Sequence, residues 1–118
     1  MISRIEWIIF DVGNVLVKLY YQKMLLAIAE LSARDLSEVS RFVEHFSPLL
    51  ASGAATTHDL HQAFSLFSLR PVSCAELCEA ICVELGEEMP EVGILLPEFR
   101  KLARLAALSN TIEIHWPE

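Results

Sequence analysis

The sequence predicts an α/β protein, with a strand at residues 5–10, a bundle of four helices inserted over residues 20–86, and a return to the sheet after it. Two observations carry this reading. Ile5–Phe10, IEWIIF, is a short unbroken apolar run rich in β-branched and aromatic residues. That pattern suits a strand covered on both faces, as in a parallel sheet. Residues 20–86 then change to apolar stripes at helical spacing joined by short connections, the pattern of a small bundle.

Each element follows in order. Asp11-Val12-Gly13-Asn14 ends the strand with residues that favour turns, and Val15–Val17 resume the apolar run. Met24, Leu25, Ile28 and Leu31 share one helical face. Leu36, Val39, Phe42, Val43 and Phe46 form a second stripe, introduced by Ser32 and Asp35 in capping-box spacing and stopped by Pro48. Leu60, Ala63, Phe64 and Phe67 form the third, with Thr56 and Asp59 as its cap pair. Leu77, Cys78, Ile81, Cys82 and Leu85 form the fourth, with Ser73 and Glu76 in front and Gly86 behind. From Met89, the stripe Val92, Leu95, Leu96 and Phe99 continues through Pro97, which should kink the helix or start it afresh. Ala103–Leu108, ARLAAL, consists of good helix formers, and only the residues after it argue for a strand.

The whole-chain numbers exclude several classes. With 118 residues the chain fits one domain or less, domains commonly running to about 100–200 residues. Hydrophobic residues make up 53%, but charge, Pro or Gly breaks every apolar run well short of the roughly 20 residues a membrane span needs. Arg4, Glu6 and Asp11 interrupt the N-terminus, so it does not read as a secretory signal. A net charge of -7 and nine basic residues that form no cluster in sequence disfavour nucleic acid, whose binding needs Lys and Arg against phosphates. Three cysteines without a signal argue against a disulfide framework. The expectation is a cytoplasmic protein with neither nucleic acid nor membrane as partner.

The strongest chemical signal is residues 8–17, IIFDVGNVLV. Ligands of open α/β sheets sit beyond the carboxyl ends of the strands, where Asp11 stands. An aspartate is ionised at neutral pH and can attack without a separate base. This segment resembles the first motif of the haloacid dehalogenase (HAD) superfamily, an apolar strand followed by Asp-x-Asp/Gly-x-Val/Thr. Leu108-Ser109-Asn110-Thr111 is similar to that superfamily's second motif, a strand ending in Ser or Thr. Residues 20–86 resemble the helical cap that one large branch inserts between the two, and Gly53–Phe64 resembles the cap's Gly-x-x-Thr-x-x-x-Phe passage.

The resemblance implies an incomplete HAD-like Rossmannoid core of two parallel strands with an inserted helical-bundle cap. Residues 1–19 would hold the core strand and first motif, 20–86 the cap, and 87–118 a core helix, the second strand and second motif, the core being truncated. It makes Asp11 the nucleophile, through an aspartyl-phosphate, and a ligand of Mg²⁺ together with the Gly13 carbonyl. Ser109 and the Asn110 amide would hold the phosphate. The implied parent activity is phosphomonoester hydrolysis of a small phosphorylated metabolite.

Two departures qualify that activity. Gly13 stands where most family phosphatases carry a second Asp as general acid/base, whose loss typically costs about 10²–10⁴ in rate. Asp-x-Gly-Asn-Val is nevertheless similar to a branch of sugar-phosphate phosphatases. A bulky aromatic marks true haloacid dehalogenases at that position, so halide displacement is the lesser reading. The third-motif Lys and fourth-motif Asp have no counterpart, since no lysine follows Lys101 and no aspartate follows Asp59; Glu113 and Glu118 have the wrong spacing. The chain alone is therefore expected to be inactive, with the remaining metal ligand absent. Its unpaired strand edges should favour a complementing or self-associating chain and poor solubility. The alternative is a non-catalytic remnant or helical interaction module.

Other chemistry-bearing residues have plainer readings. Cys74, Cys78 and Cys82 recur every four residues, which sets the outer pair about 12 Å apart on a helix, too far for one metal ion. Cys78 and Cys82 lie on the apolar face and read as core packing. His58 and His61 read as solvated surface in a first helical turn. His115 and Trp116 either border a substrate pocket in a complete protein or belong to a frayed tail.

Overall fold

The computed structural model describes residues 4–108 and 112–115. In chain order the elements are β1 (Trp7–Phe10), β2 (Val17–Leu19), α1 (Tyr21–Ser32), α2 (Leu36–Ser52), α3 (Thr57–Phe67), α4 (Cys74–Cys82), β3 (Leu85–Glu88), α5 (Val92–Leu102), β4 (Arg104–Ala107) and a single 3₁₀ turn, Glu113–His115. They divide into two units. Among the described residues, 4–19 group with 85–108, and 20–84 group with 112–115.

In the first unit β1 and β4 run parallel, in the register Trp7–Arg104, Ile8–Leu105, Ile9–Ala106 and Phe10–Ala107. Residues 104–107 are thus a strand against their own helical propensity, because the ladder to β1 outweighs a preference that is weak per residue. Helix α5 packs on β4, and Phe99 meets Phe10 with ring centroids 5.8 Å apart. It runs unbroken through Pro97, with Arg100 and Lys101 in its last turn, where cations favour the helix dipole. β1 is not covered on both faces: Ile8 and Phe10 are half-buried, whereas Trp7 is 50% and Ile9 63% exposed. A second pairing, absent from the sequence reading, joins β2 to β3 antiparallel, Val17 opposite Glu88 and Leu19 opposite Leu85. Leu85 and Gly86 therefore belong to a strand, not to the fourth helix and its stop.

The second unit is a four-helix bundle in which α1 packs on α2 and α4, and α3 on α4. Its core draws Met24, Leu25 and Ile28 from α1, Val39 from α2, Leu60 and Phe64 from α3, and Leu77 and Ile81 from α4. Two of the three expected cap pairs form capping boxes. Asp59 N–H donates to Thr56 Oγ1 at 3.1 Å and Thr56 N–H to Asp59 Oδ2 at 2.9 Å; Glu76 and Ser73 make the same exchange.

The start of α2 differs from expectation. Asp35 itself is the cap, accepting Glu38 N–H at 2.9 Å, while Ser32 is the fully buried last residue of α1. The end of α2 differs too. Pro48 removes one helical hydrogen bond, but the helix continues to Ser52 and closes at left-handed Gly53, because Phe46 and Leu50 pack against the core on either side of the proline. His61 is half-buried rather than solvated, with Nε2 2.7 Å from the Val72 carbonyl oxygen, while His58 is exposed. Residues 112–115 are no frayed tail: Ile114 is buried in the bundle core, and its carbonyl accepts Cys82 Sγ–H at 3.4 Å. Trp116 lies outside the described residues.

Candidate active site

The candidate site is the carboxyl end of β1. The ladder does not stop at Ala107, because Leu108 N–H donates to the Phe10 carbonyl at 2.8 Å. Continuing the register by one residue sets Asp11 beside Leu108. Strand β4 therefore delivers the chain at the same edge where β1 presents its carboxylate. Ser109 and Asn110, the expected phosphate holders, lie outside the described residues.

Asp11 is exposed, and its Oδ1 accepts Val12 N–H at 2.8 Å. Among the described residues no ion pair occupies this carboxylate. The loop after it is tightly tied. The Val12 carbonyl accepts N–H groups from Val15 at 3.3 Å, Leu16 at 2.9 Å and Val17 at 3.0 Å. Asn14 adopts φ 57°, a left-handed conformation that Asn tolerates better than most residues, and its side-chain Oδ1 accepts Leu19 N–H at 3.0 Å. Asn14 N–H also donates to the Val17 carbonyl at 2.7 Å. Asn14 is thus the clasp that turns the chain back into β2. The sequence reading took it only as a turn former, although the Gly-Asn pair was the signal for this role.

Gly13 has a local reason. A Cβ built on it would stand 2.8 Å from Leu19 Cδ1 and 3.5 Å from Leu19 Cγ. Any side chain at this position would require the end of Leu19, in β2, to move aside.

Two oxygen donors on this loop, the Asp11 carboxylate and the Gly13 carbonyl, suit a hard cation in kind. Magnesium commonly uses one or two carboxylates, with water and substrate phosphate completing its octahedron. Among the described residues no cluster of three or more His, Cys, Asp or Glu could hold a metal ion, so the loop supplies only part of a coordination shell. The cysteines agree with their expected role: Cys78 and Cys82 pack against the core, and burial pushes the Cys82 thiol pKa up.

The basic residues depart from their sequence reading. Arg4, Arg100, Lys101 and Arg104 line one surface depression of about 470 Å³ at the amino end of β1 and β4, opposite Asp11. Arg104 lies 5.7 Å from the Trp7 ring centroid. Residues far apart in sequence meet there because the parallel pairing aligns the starts of both strands.

No family profile and no curated protein matches the sequence. Solved structures do match. A HAD family enzyme from Bacteroides thetaiotaomicron superposes with a TM-score of 0.82 at 20% identity, over 97% of this chain and 57% of that one. The wild-type form of that enzyme, in complex with magnesium and inorganic phosphate, gives 0.79 at 19% identity, over 95% and 56%. A predicted HAD-like family hydrolase from Porphyromonas gingivalis gives 0.75 at 20% identity, over 95% and 54%. The chain thus spans a little over half the length of these proteins. Among the described residues no helix is long and apolar enough to cross a membrane. A carboxylate at the end of a strand, a parallel partner delivering the chain beside it, a helical unit inserted between them and these superpositions agree: the chain has the fold of the HAD-like hydrolases.

Proposed function

We propose that these residues form the nucleophile-bearing part of a Mg²⁺-dependent phosphomonoester hydrolase of a small cytoplasmic metabolite, with the helical unit as its cap. The observation that carries this reading is the exposed Asp11 carboxylate at the carboxyl end of β1, with β4 running parallel beside it toward Ser109. The Bacteroides enzyme's complex with magnesium and inorganic phosphate supports the class of ligand.

In this mechanism the Asp11 oxygen not held by Val12 N–H attacks phosphorus, the bond from phosphorus to the ester oxygen breaks, and an aspartyl-phosphate forms. Water then attacks phosphorus, releasing phosphate and the free carboxylate. Magnesium, when bound, offsets the charge on the phosphoryl oxygens. Ser109 and the Asn110 amide hold the phosphoryl oxygens. Gly13 offers no carboxyl to protonate the leaving alkoxide, so that proton comes from solvent or from another group.

This mechanism also needs a phosphate-neutralising cation and further metal ligands. Among the described residues no cluster of three or more His, Cys, Asp or Glu supplies the latter, so a further segment or a partner would provide them. The exposed face of β1, with Trp7 and Ile9, is the surface on which such a segment, or a second copy of this chain, would pack. The same face favours a second reading, a non-catalytic interaction module.

The test uses p-nitrophenyl phosphate with Mg²⁺. The 118-residue chain should show no turnover. Joined to the portion of the Bacteroides enzyme that it does not cover, it should hydrolyse the ester, and Asp11→Asn should abolish that activity. Turnover that survives Asp11→Asn refutes the nucleophile assignment, and robust turnover by the 118 residues alone refutes the need for further groups.

A further inference from the structure

The helical unit contains an apolar cavity of about 100 Å³. Its floor is formed by buried Ile28, Phe64 and Leu77. Its aromatic wall is ordered: Phe42 stacks on Phe46 at 4.9 Å with 28° between the rings, and Phe64 meets Phe42 edge-on at 5.7 Å and 71°. Protein cores normally fill their space, and an apolar void offers water too few polar partners to hold it. Engineered cavities of about 150 Å³ with comparable linings bind benzene. The rim here differs in character from the floor. Tyr21 and Ser47 are exposed, and half-buried Glu84 completes the rim with a carboxylate oxygen 3.7 Å from His115 Nε2. Glu84 is the acidic residue lining this mouth, and burial, followed by the nearby Glu44 and Glu84 carboxylates, raises the Tyr21 pKa.

We propose that this cavity binds a small aryl-alkyl amine, its ring against Phe42, Phe46 and Phe64 and its ammonium at Glu84. An apolar pocket selects the ring by size, and an acidic rim selects against carboxylates and in favour of cations. Exposed Tyr21 and Ser47 place the mouth at the surface, so the ring enters with its alkylammonium left outside, beside Glu84.

Benzylamine, toluene and benzoate are the probes, and the methyl resonance of Met24, which lines the cavity, is the reporter. Benzylamine should shift that resonance saturably, toluene should bind about tenfold more weakly for want of a charged hydrogen bond, and benzoate should leave it unmoved. Glu84→Gln should reduce benzylamine to the affinity of toluene. Val43→Phe, which fills the cavity, should abolish both. If Val43→Phe loses its dispersed spectrum, Glu84→Gln alone decides. No shift with benzylamine, equal binding of toluene, or an unchanged affinity in Glu84→Gln each overturns the assignment.

Discussion

Gly13→Ala tests whether Leu19 sets the residue at the centre of the candidate site. The added methyl would lie 2.8 Å from Leu19 Cδ1, whereas non-bonded carbons settle at about 3.5–4.0 Å. Only that methyl collides, because Cγ at 3.5 Å is in ordinary contact. Relief requires Leu19 to leave its rotamer, at about 0.5–1.5 kcal/mol, or β2 to move, toward the 1–3 kcal/mol typical of overpacking. Gly→Ala also restricts the unfolded chain, which stabilises by about 0.4–1 kcal/mol. Leu19 Cδ1 is the end of a flexible side chain, so the rotamer route is the cheaper relief and a net loss of a few tenths of a kcal/mol is expected. Leu19→Val shortens the branch that carries the colliding methyl while keeping a good strand former. In that background Gly13→Ala should become neutral or slightly stabilising. Urea unfolding followed by Trp7 fluorescence, with Trp116→Phe to leave one reporter, measures all four corners of the cycle. An equal cost of Gly13→Ala in both backgrounds, or a gain with Leu19 intact, would refute the explanation.

Phe64→Ala removes a fully buried ring that contacts Phe42 and Phe67, and should destabilise the helical unit by about 3–5 kcal/mol in thermal or urea unfolding. Thr56→Ala deletes one half of a capping box and should cost about 1 kcal/mol by the same measurement. Backbone N–H groups at the helix starts hold Asp35, Asp59 and Glu76 below their ordinary pKa values. Their contribution is therefore complete above the unfolded carboxylate range of about 3.9–4.3 and is lost as pH falls through the lower folded values. Circular dichroism of the helices should show melting points dropping on that acid side and flat above it. Cys82, its thiol pKa raised by burial, should alkylate with a rate that climbs only above the ordinary thiol value of about 8.5; half-maximal alkylation below that value would contradict its packed position.

Where the sequence could be read, a local rule was enough. Thr56 with Asp59 and Ser73 with Glu76 announce their helices because the cap, its partner and the first turn lie within four residues. β4 needed more than local information, since its residues prefer helix and become a strand only through the ladder to β1. The β2–β3 pairing was out of reach for the same reason. Its strands have three and four residues, are separated by residues 20–84, and carry no turn signature joining them. Pro48 misled because its local cost is evident in sequence, while the packing of Leu50 beyond it is not. At the candidate site, Asp11 could be found from its place after an apolar run. The collision between position 13 and Leu19 could not, because it depends on how the loop folds back.

Tyr20 N–H donates to the Glu84 carbonyl at 2.7 Å. The first and last residues of the long inserted stretch are thereby fastened to each other. For the flanking strands the bundle acts as a very short tether. Once the helices have assembled, Leu19 and Leu85 start out as neighbours, and most of the loop-closure entropy of pairing strands so distant in sequence has already been met. Local helical contacts form faster than long-range ladders. Helices α1–α4 can therefore assemble first and leave the strands to zip from a junction already closed.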